Sequence, residues 1–318
     1  MNRRILLLLF LLLCAAIFFG ISFGPITLNL KDLFSAGNSQ ILRLRFTRVI
    51  LALIAGAGLA VAGVIFQGIL RNSLAEPYVL GVSSGAGLGA VLALFFNLSM
   101  EFLPVTAFLG ASATMFIVYN LAKINGKVST QGLLLSGVIV GAVFSSLLLF
   151  LVSMSPNEAI HGITWWLLGS LQVSEIKLLV AVTILIIAGI LIAIYFGRDL
   201  NAISLGEEEA HHLGINVETV KKILFIIASL ITGSIVCICG IIGFVGLIIP
   251  HATRLVIGSD HRMVLPASAI SAGIFLILAD TISRIIIPPV EVPIGVITAL
   301  IGGPIFIILL RKKQKAPF

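Results

Sequence analysis

The sequence predicts an all-α polytopic membrane protein of about ten transmembrane helices, with both termini on the cytoplasmic side. Three observations predict it. Hydrophobic residues make up 59% of the 318 and charged residues only 10%, against roughly 45–50% and 25% in soluble domains. The apolar runs reach the roughly 20 residues that a helix needs to cross hydrocarbon, far longer than the alternating segments of a membrane barrel. Lys and Arg gather between the runs, as they do in loops that stay in the cytoplasm. A soluble enzyme could not hide this much apolar surface, and disorder requires the opposite composition.

Taken in order, the first element is 5–23. Arg3 and Arg4 followed by ILLLLFLLL look like a signal peptide, but no A-x-A site follows, so the run reads as the first span. Further spans are expected at 49–70, 77–96, 103–122, 131–154, 177–197 and 220–240. A short broken span at 243–257 follows, then 264–286 and 293–310. Pro77, Pro104 and Pro293 stand at or near span starts, where a missing N–H costs little. Gly240, Gly243, Gly246 and Pro250 punctuate the eighth span. Counting it as a crossing brings Arg3 and Arg4 to the same side as Arg311, Lys312, Lys313 and Lys315, which the positive-inside rule favours. The whole of 1–318 then reads as a single transmembrane domain. Gly56 with Ala60, Gly85 with Gly89 and Gly137 with Gly141 have the small-residue spacing of closely packed helices. On this topology Lys31, Arg43, Arg45, Arg48, Lys177 and Arg284 fall outside, and the cluster at 43–48, just before the second span, runs against the rule.

The residues that could carry chemistry are few. Gly126-Lys127 is followed by Val128, and Leu121 stands where a phosphate loop needs its first glycine, so no ATP site of that kind exists. Gly85–Ala90 formally fits a dinucleotide fingerprint but lies inside an apolar helix, where small residues serve packing. Cys14, Cys237 and Cys239 sit in apolar runs and suggest neither a disulfide framework nor a metal pair. His161, His211, His212, His251 and His261 lack ligand spacing. No catalytic residue, metal or bound cofactor is expected. The net charge of +7 reflects cytoplasmic loops rather than nucleic-acid binding.

Two features remain. Asp280 and Arg284 lie four apart within one span, acid first, the favourable order on a helix. They read as an intramembrane ion pair, since a lone charge there costs at least about 2.5–3.5 kcal/mol; the other reading is that Arg284, near the outer end, reaches a partner protein. The longest polar segment, 199–222, contains EEEAHHL bracketed by Gly206 and Gly214. It could be a solvated loop, but Leu205, Ala210 and Leu213 give it an apolar side, as a small docking helix requires. A secondary transporter would need coupling acids at mid-membrane, for which Asp280 is the sole candidate. A membrane-embedded enzyme would need a catalytic cluster, which is not visible.

Several stretches resemble a known family. They are RNSLAEPYVLGVSSGAGLGA (71–90), WWLLGSL (165–171), LNAISLGEEEAHHLGINV (200–217), GIIGFVGLIIPHATRLVIGSDHRMVLPASA (240–269), LADTISR (278–284) and PPVEVPIGVITALIGGPIFIILL (288–310). Together they resemble the FecCD or BtuC-like permeases of ABC importers for ferric siderophores, haem and cobalamin, over nearly the whole chain. The resemblance implies a BtuC-like permease fold in the bacterial inner membrane and a homodimer with one path at its interface. It implies two cytoplasmic ATP-binding subunits, which hold the ATP-Mg, and an extracytoplasmic substrate-binding protein. By the same resemblance, Leu205, Gly206, Glu207, Ala210, Leu213 and Gly214 belong to the helix that couples to the ATPase. Arg45, Arg48 and Arg284 would meet the binding protein, with Thr47 replacing the family's proline. Asn72, Leu74, Thr130 and Gln131 would form the cytoplasmic gate, although Ser73 and Gln131 depart from the family pattern. Ser145, Ser146 and Ser153 are expected along the path. The residues themselves do not name the cargo; by family frequency the resemblance implies a ferric siderophore, with haem and cobalamin as alternatives, and an ion-coupled secondary transporter is the alternative of another class.

Overall fold

The computed structural model describes residues 3–25, 39–124, 126–173 and 175–315. Lys31 lies outside them, as do the side chains of Arg3, Arg4, Arg311, Lys312, Lys313 and Lys315. A helix coincides with each of the predicted spans: α1 (Arg3–Ser22), α2 (Ser39–Ile69), α3 (Val82–Phe95), α4 (Leu103–Ala122), α5 (Thr130–Ser153), α7 (Ile176–Tyr195), α10 (Val217–Cys239), α11 (Val245–Ile257), α12 (His261–Ile285) and α13 (Ile294–Lys315). Between them run α6 (Asn157–Leu167), α8 (Gly197–Leu205), α9 (Glu207–His212) and the two-residue strands β1 (Lys123–Ile124) and β2 (Lys127–Val128). Among the described residues, α2, α4, α5, α7, α10 and α12 are long and apolar enough to cross a membrane by themselves.

The helices divide by what surrounds them. α2 is buried on every side from Ala55 to Ile69 and forms the axis of the bundle, with α12, α10 and α11 packed round it. A helix that is apolar all round must be enclosed or face lipid; α2 is enclosed. α5 and α7 do the opposite, leaving Leu135, Val138, Leu149, Val180, Ile184 and Leu191 exposed. Small residues set the inner spacing. A Cβ on Gly137 would lie 2.7 Å from the Cα of Leu80, and one on Gly56 would collide with the carbonyl of Ala272. Larger side chains would force these helices apart.

Four elements depart from the sequence reading, one of them α6, where no helix was expected. The span expected at 77–96 is divided into a 3-10 turn, Pro77–Leu80, and α3, with Gly81 at φ 78° between them. α2 begins at Ser39 rather than at 49, so the arginine cluster lies inside its first turns instead of preceding it. The stretch 199–222, read as a polar segment holding one short helix, is more helical than expected: α9 is that helix, and α8 and the start of α10 flank it. The spacing also conceals a joint. Tyr78 Oη accepts a hydrogen bond from Ile242 N at 3.3 Å and Glu76 accepts one from Phe244 N at 2.7 Å, so 76–78 fastens the irregular start of α11. Such bonds satisfy backbone donors that would otherwise be buried unpaired.

Candidate functional site

At one end of the bundle, α9 projects into an open groove of about 1150 Å³. Gly206, Glu207, Glu208, Glu209, His211 and Gly214 line it on the α9 side, and Lys127, Val128, Ser129, Thr130 and Gln131 on the other. Leu205 is 77% exposed and Leu213 69%, while Ala210 between them is buried against the bundle. Two large apolar side chains thus flank a short acidic helix with nothing covering them in this chain. Gly214, at φ 79°, ends the helix in a conformation that costs glycine least. α8, which carries α9, is fixed at its root: Asn201 Oδ1 accepts from His261 N at 2.8 Å, and Asn201 Nδ2 donates to Asp260 at 2.8 Å. Asp260, in the turn before α12, also receives the forked guanidinium of Arg262. That hydrogen bonding, from Arg262 first and Asn201 second, holds the carboxyl well below the usual carboxylate range.

The expected gate residues lie near the same end. α2 ends in a Schellman motif, with Asn72 N donating to Gln67 O at 3.1 Å, Arg71 N to Gly68 O at 3.3 Å, and Arg71 in the left-handed region. Asn72 Oδ1 then accepts from Leu74 N at 2.9 Å, closing a local turn. Arg71 lines the groove together with Thr130 and Gln131; Asn72 and Leu74 do not line it. Ser129 caps α5 by accepting from Gly132 N at 2.9 Å. Farther along α5, Ser145 Oγ pairs with Ser84 Oγ at 2.9 Å, a contact between α5 and α3, whereas Ser146 and Ser153 are exposed and bond back to Ala142 O and Phe150 O.

The opposite end holds the arginines. Arg48 Nε lies 2.8 Å from Asp280, and its Nη1 lies 2.8 Å from Glu291. Arg284 Nε lies 3.1 Å from the other oxygen of Asp280, and Nη2 donates to Gly20 O at 3.0 Å. Arg45 donates to Ile21 O and Ser22 O, both at 2.9 Å. The result is a staple that joins α1, α2, α12 and the turn before α13. Arg45 and Arg284 are 7% and 3% exposed, and the side chain of Arg48 is 12% exposed. All three nonetheless line a recess of about 420 Å³ with Gln172, Val173 and Glu291. Arg43, outside the network, is exposed. Burial pushes the Glu291 carboxyl up, but the hydrogen bond and charge of Arg48, helped by Gln172, outweigh it and leave the group below its usual range.

Membership follows from the matching family model, the FecCD transport family, which spans residues 9–312. The chain belongs to the FecCD transport family. Similar relatives include the uncharacterized ABC transporter permease YvrB of Bacillus subtilis, 41% identical over 280 residues, covering 86% of this chain and 79% of that one. The cobalamin import permease BtuC of Halobacterium salinarum is 42% identical, covering 85% and 73%. The hemin transport permease HmuU of Yersinia pestis is 34% identical, covering 92% and 91%. A solved structure described as an inward-facing ABC transporter of the metal-chelate type superposes with a TM-score of 0.90 at 32% identity, covering 98% of this chain and all of that one. PsaBC from Streptococcus pneumoniae, at 17% identity and a TM-score of 0.58, shares the fold, covering 89% of this chain and 95% of that one. The FecCD chain is therefore a multi-pass membrane permease.

Several participants were not visible in the sequence as partners. Glu291 and Gln172 complete the arginine end, and Asn201, Glu218 and Lys221 brace the α9 end. Their polarity in or beside apolar runs was a signal, but a pairing such as that of Asn201 with Asp260, 59 residues on, is set by packing alone.

Proposed function

We propose that the chain is the membrane-spanning subunit of a binding-protein-dependent ABC importer, working as a homodimer with two cytoplasmic ATPases. The observation that carries the reading is α9, with exposed Leu205 and Leu213 at its two ends and buried Ala210 holding its base. Solvent-exposed leucines on a braced helix gain by entering an apolar cleft, whereas the acidic residues between them remain at a polar rim. Orientation follows from charge: ten crossings within one domain put both termini and α9 in the cytoplasm and the arginine recess outside, in the inner membrane of a bacterium. Arg45, Arg48 and Arg284 then present a positive recess to acidic residues of the binding protein. Thr130, Gln131, Asn72 and Leu74 constrict the inner mouth, and Ser146 and Ser153 face the path between the two copies.

ATP binding on the partner subunits closes them, α9 moves with its cleft, and the two permease copies rock between outward and inward openings. The cargo is a ferric siderophore, with haem or cobalamin as alternatives; the hemin and cobalamin permeases among the relatives support that range. Against an ion-coupled secondary transporter stands the setting of Asp280. Its carboxylate is held by two guanidiniums and is only 1% exposed, so it does not face an open path. Co-purification with the ATPase tests the reading. Leu213→Asp should reduce retained ATPase about tenfold or more, since a charge buried in an apolar cleft costs at least a few kcal/mol. Undiminished retention and ATP-driven uptake by that variant would remove α9 from the interface.

A further inference from the structure

Lys221 is 3% exposed, close to the polar end of α10, and both of its hydrogen bonds leave that helix. Nζ donates to Glu207 Oε1 at 2.9 Å, on the first residue of α9, and to Val128 O at 2.9 Å. One turn earlier on α10, Glu218 Oε2 accepts from Val128 N at 3.2 Å. α10 therefore grips the Val128 residue by both its N–H and its carbonyl. The Val128 side chain is itself buried, and α5 begins two residues later under the Ser129 cap. The docking helix and the start of α5 do not simply lie beside one groove; both are fastened to the same ammonium.

We infer that Lys221, with Glu218, is a positioning clamp that makes α9 and the first turn of α5 move as one body, so that displacement of the docking helix is delivered to Thr130 and Gln131. The physical reason is the cost of separation. If α9 moved alone, the ammonium would lose its carboxylate while still enclosed, and a buried charge without its partner is a high-energy state. If α5 moved alone, the Val128 N–H and carbonyl would be released inside the protein. Motion in which both elements travel with α10 breaks neither. The inference rests on the docking reading of 205–214 but concerns a different link, the one between dock and gate. A plain packing role for Lys221 would lower stability without changing how the two elements move relative to each other.

The test is a distance measurement in the ATPase complex. Spin labels go on Glu208→Cys and Gln131→Cys, both exposed positions, in a chain with Cys14→Ser; Cys237 and Cys239 are buried. With Lys221 present, the 131–208 distance distribution should be narrow and the same in nucleotide-free and ATP-bound complexes. Lys221→Met should broaden it and let it shift with nucleotide, while Lys221→Arg, which keeps the charge and the donors, should restore the narrow distribution. If Lys221→Met does not fold, Glu207→Ala removes the same ion pair from a partly exposed side chain and should broaden the distribution likewise. A distance that already changes with nucleotide when Lys221 is intact, or one unaffected by Lys221→Met or by Glu207→Ala, overturns the clamp. The docking reading fails separately, through full ATPase retention by Leu213→Asp, and the nucleotide-free 131–208 distribution reads the clamp in either case.

Discussion

Asp280 is the residue on which the arginine end depends, because two guanidiniums from different helices converge on its single carboxylate. Asp280→Leu should destabilise the protein by about 3–5 kcal/mol, since it strands buried positive charge. Asp280→Leu combined with Arg284→Leu should cost less than Asp280→Leu alone, because Arg48 keeps Glu291. Thermal unfolding in detergent reads the order, and equal losses would refute the shared-acid account. Glu291 adds a pH dependence. Its folded pKa is depressed below the ordinary value of 4.5, so its stabilising contribution is present above that value and disappears as pH falls below it, through the folded pKa. The protein with Glu291→Gln should be less stable at neutral pH by about 1 kcal/mol, a modest figure because the group is partly solvated. The gap between the two chains should close on acidification below pH 4.5. A gap that stayed constant with pH would mean that the Arg48 contact contributes no charge-dependent stability. These partners also show why the sequence alone indicated only part of the site. The i,i+4 pair of Asp280 and Arg284 could be read from spacing, whereas Arg48 reaches Asp280 from 232 positions away, and no local pattern encodes that.

At the scale of elements, hydropathy located the long helices because each has to satisfy its backbone internally within lipid. It missed the start of α2, where Arg43, Arg45 and Arg48 depress the mean although the helix continues. The burial of Arg45 is made tolerable by carbonyls at the end of α1, outside its own helix. It also missed α6 and α8, whose mixed composition resembles loops and whose helicity depends on tertiary packing rather than on a membrane-length apolar run. Close packing, by contrast, was legible in the glycine spacings. Gly137→Val should separate α5 from the turn Pro77–Leu80, because its Cβ would meet backbone at 2.7 Å and backbone cannot rotate away. A loss of about 1–3 kcal/mol is expected. Gly162→Ala in α6 is the control, since nothing lies within 4 Å of its added Cβ, and there the better helix former should leave stability unchanged or raise it by up to about 1 kcal/mol. Equal melting temperatures for Gly137→Val and the parent chain would mean that α5 does not bear on the turn as closely as this geometry requires.

For the whole molecule, the decisive element is α11, a helix of only 13 residues containing Pro250. If it crosses, α12 runs outward from the α9 side and the arginine recess forms where the end of α12 meets the start of α2. If it does not cross, α12 and α13 reverse and the C-terminal basic cluster lies outside, against the charge rule. The network geometry favours crossing. Asn201, at the root of the arm formed by α8 and α9, bonds the first residue of α12, while Arg284, one residue before its end, bonds the end of α1. The two ends of α12 are therefore tied to opposite ends of the bundle. Labelling with a membrane-impermeant thiol reagent distinguishes the two topologies. In a Cys14→Ser chain produced without its ATPase, Glu101→Cys and Pro289→Cys, both exposed, should react in intact cells. Lys123→Cys and Ser259→Cys, also exposed, should react only after permeabilisation. Ser259 stands two residues past the end of α11, so its labelling from outside, with Lys123 still protected, would show that α11 turns back within the membrane and would reverse the assignment of the C-terminus.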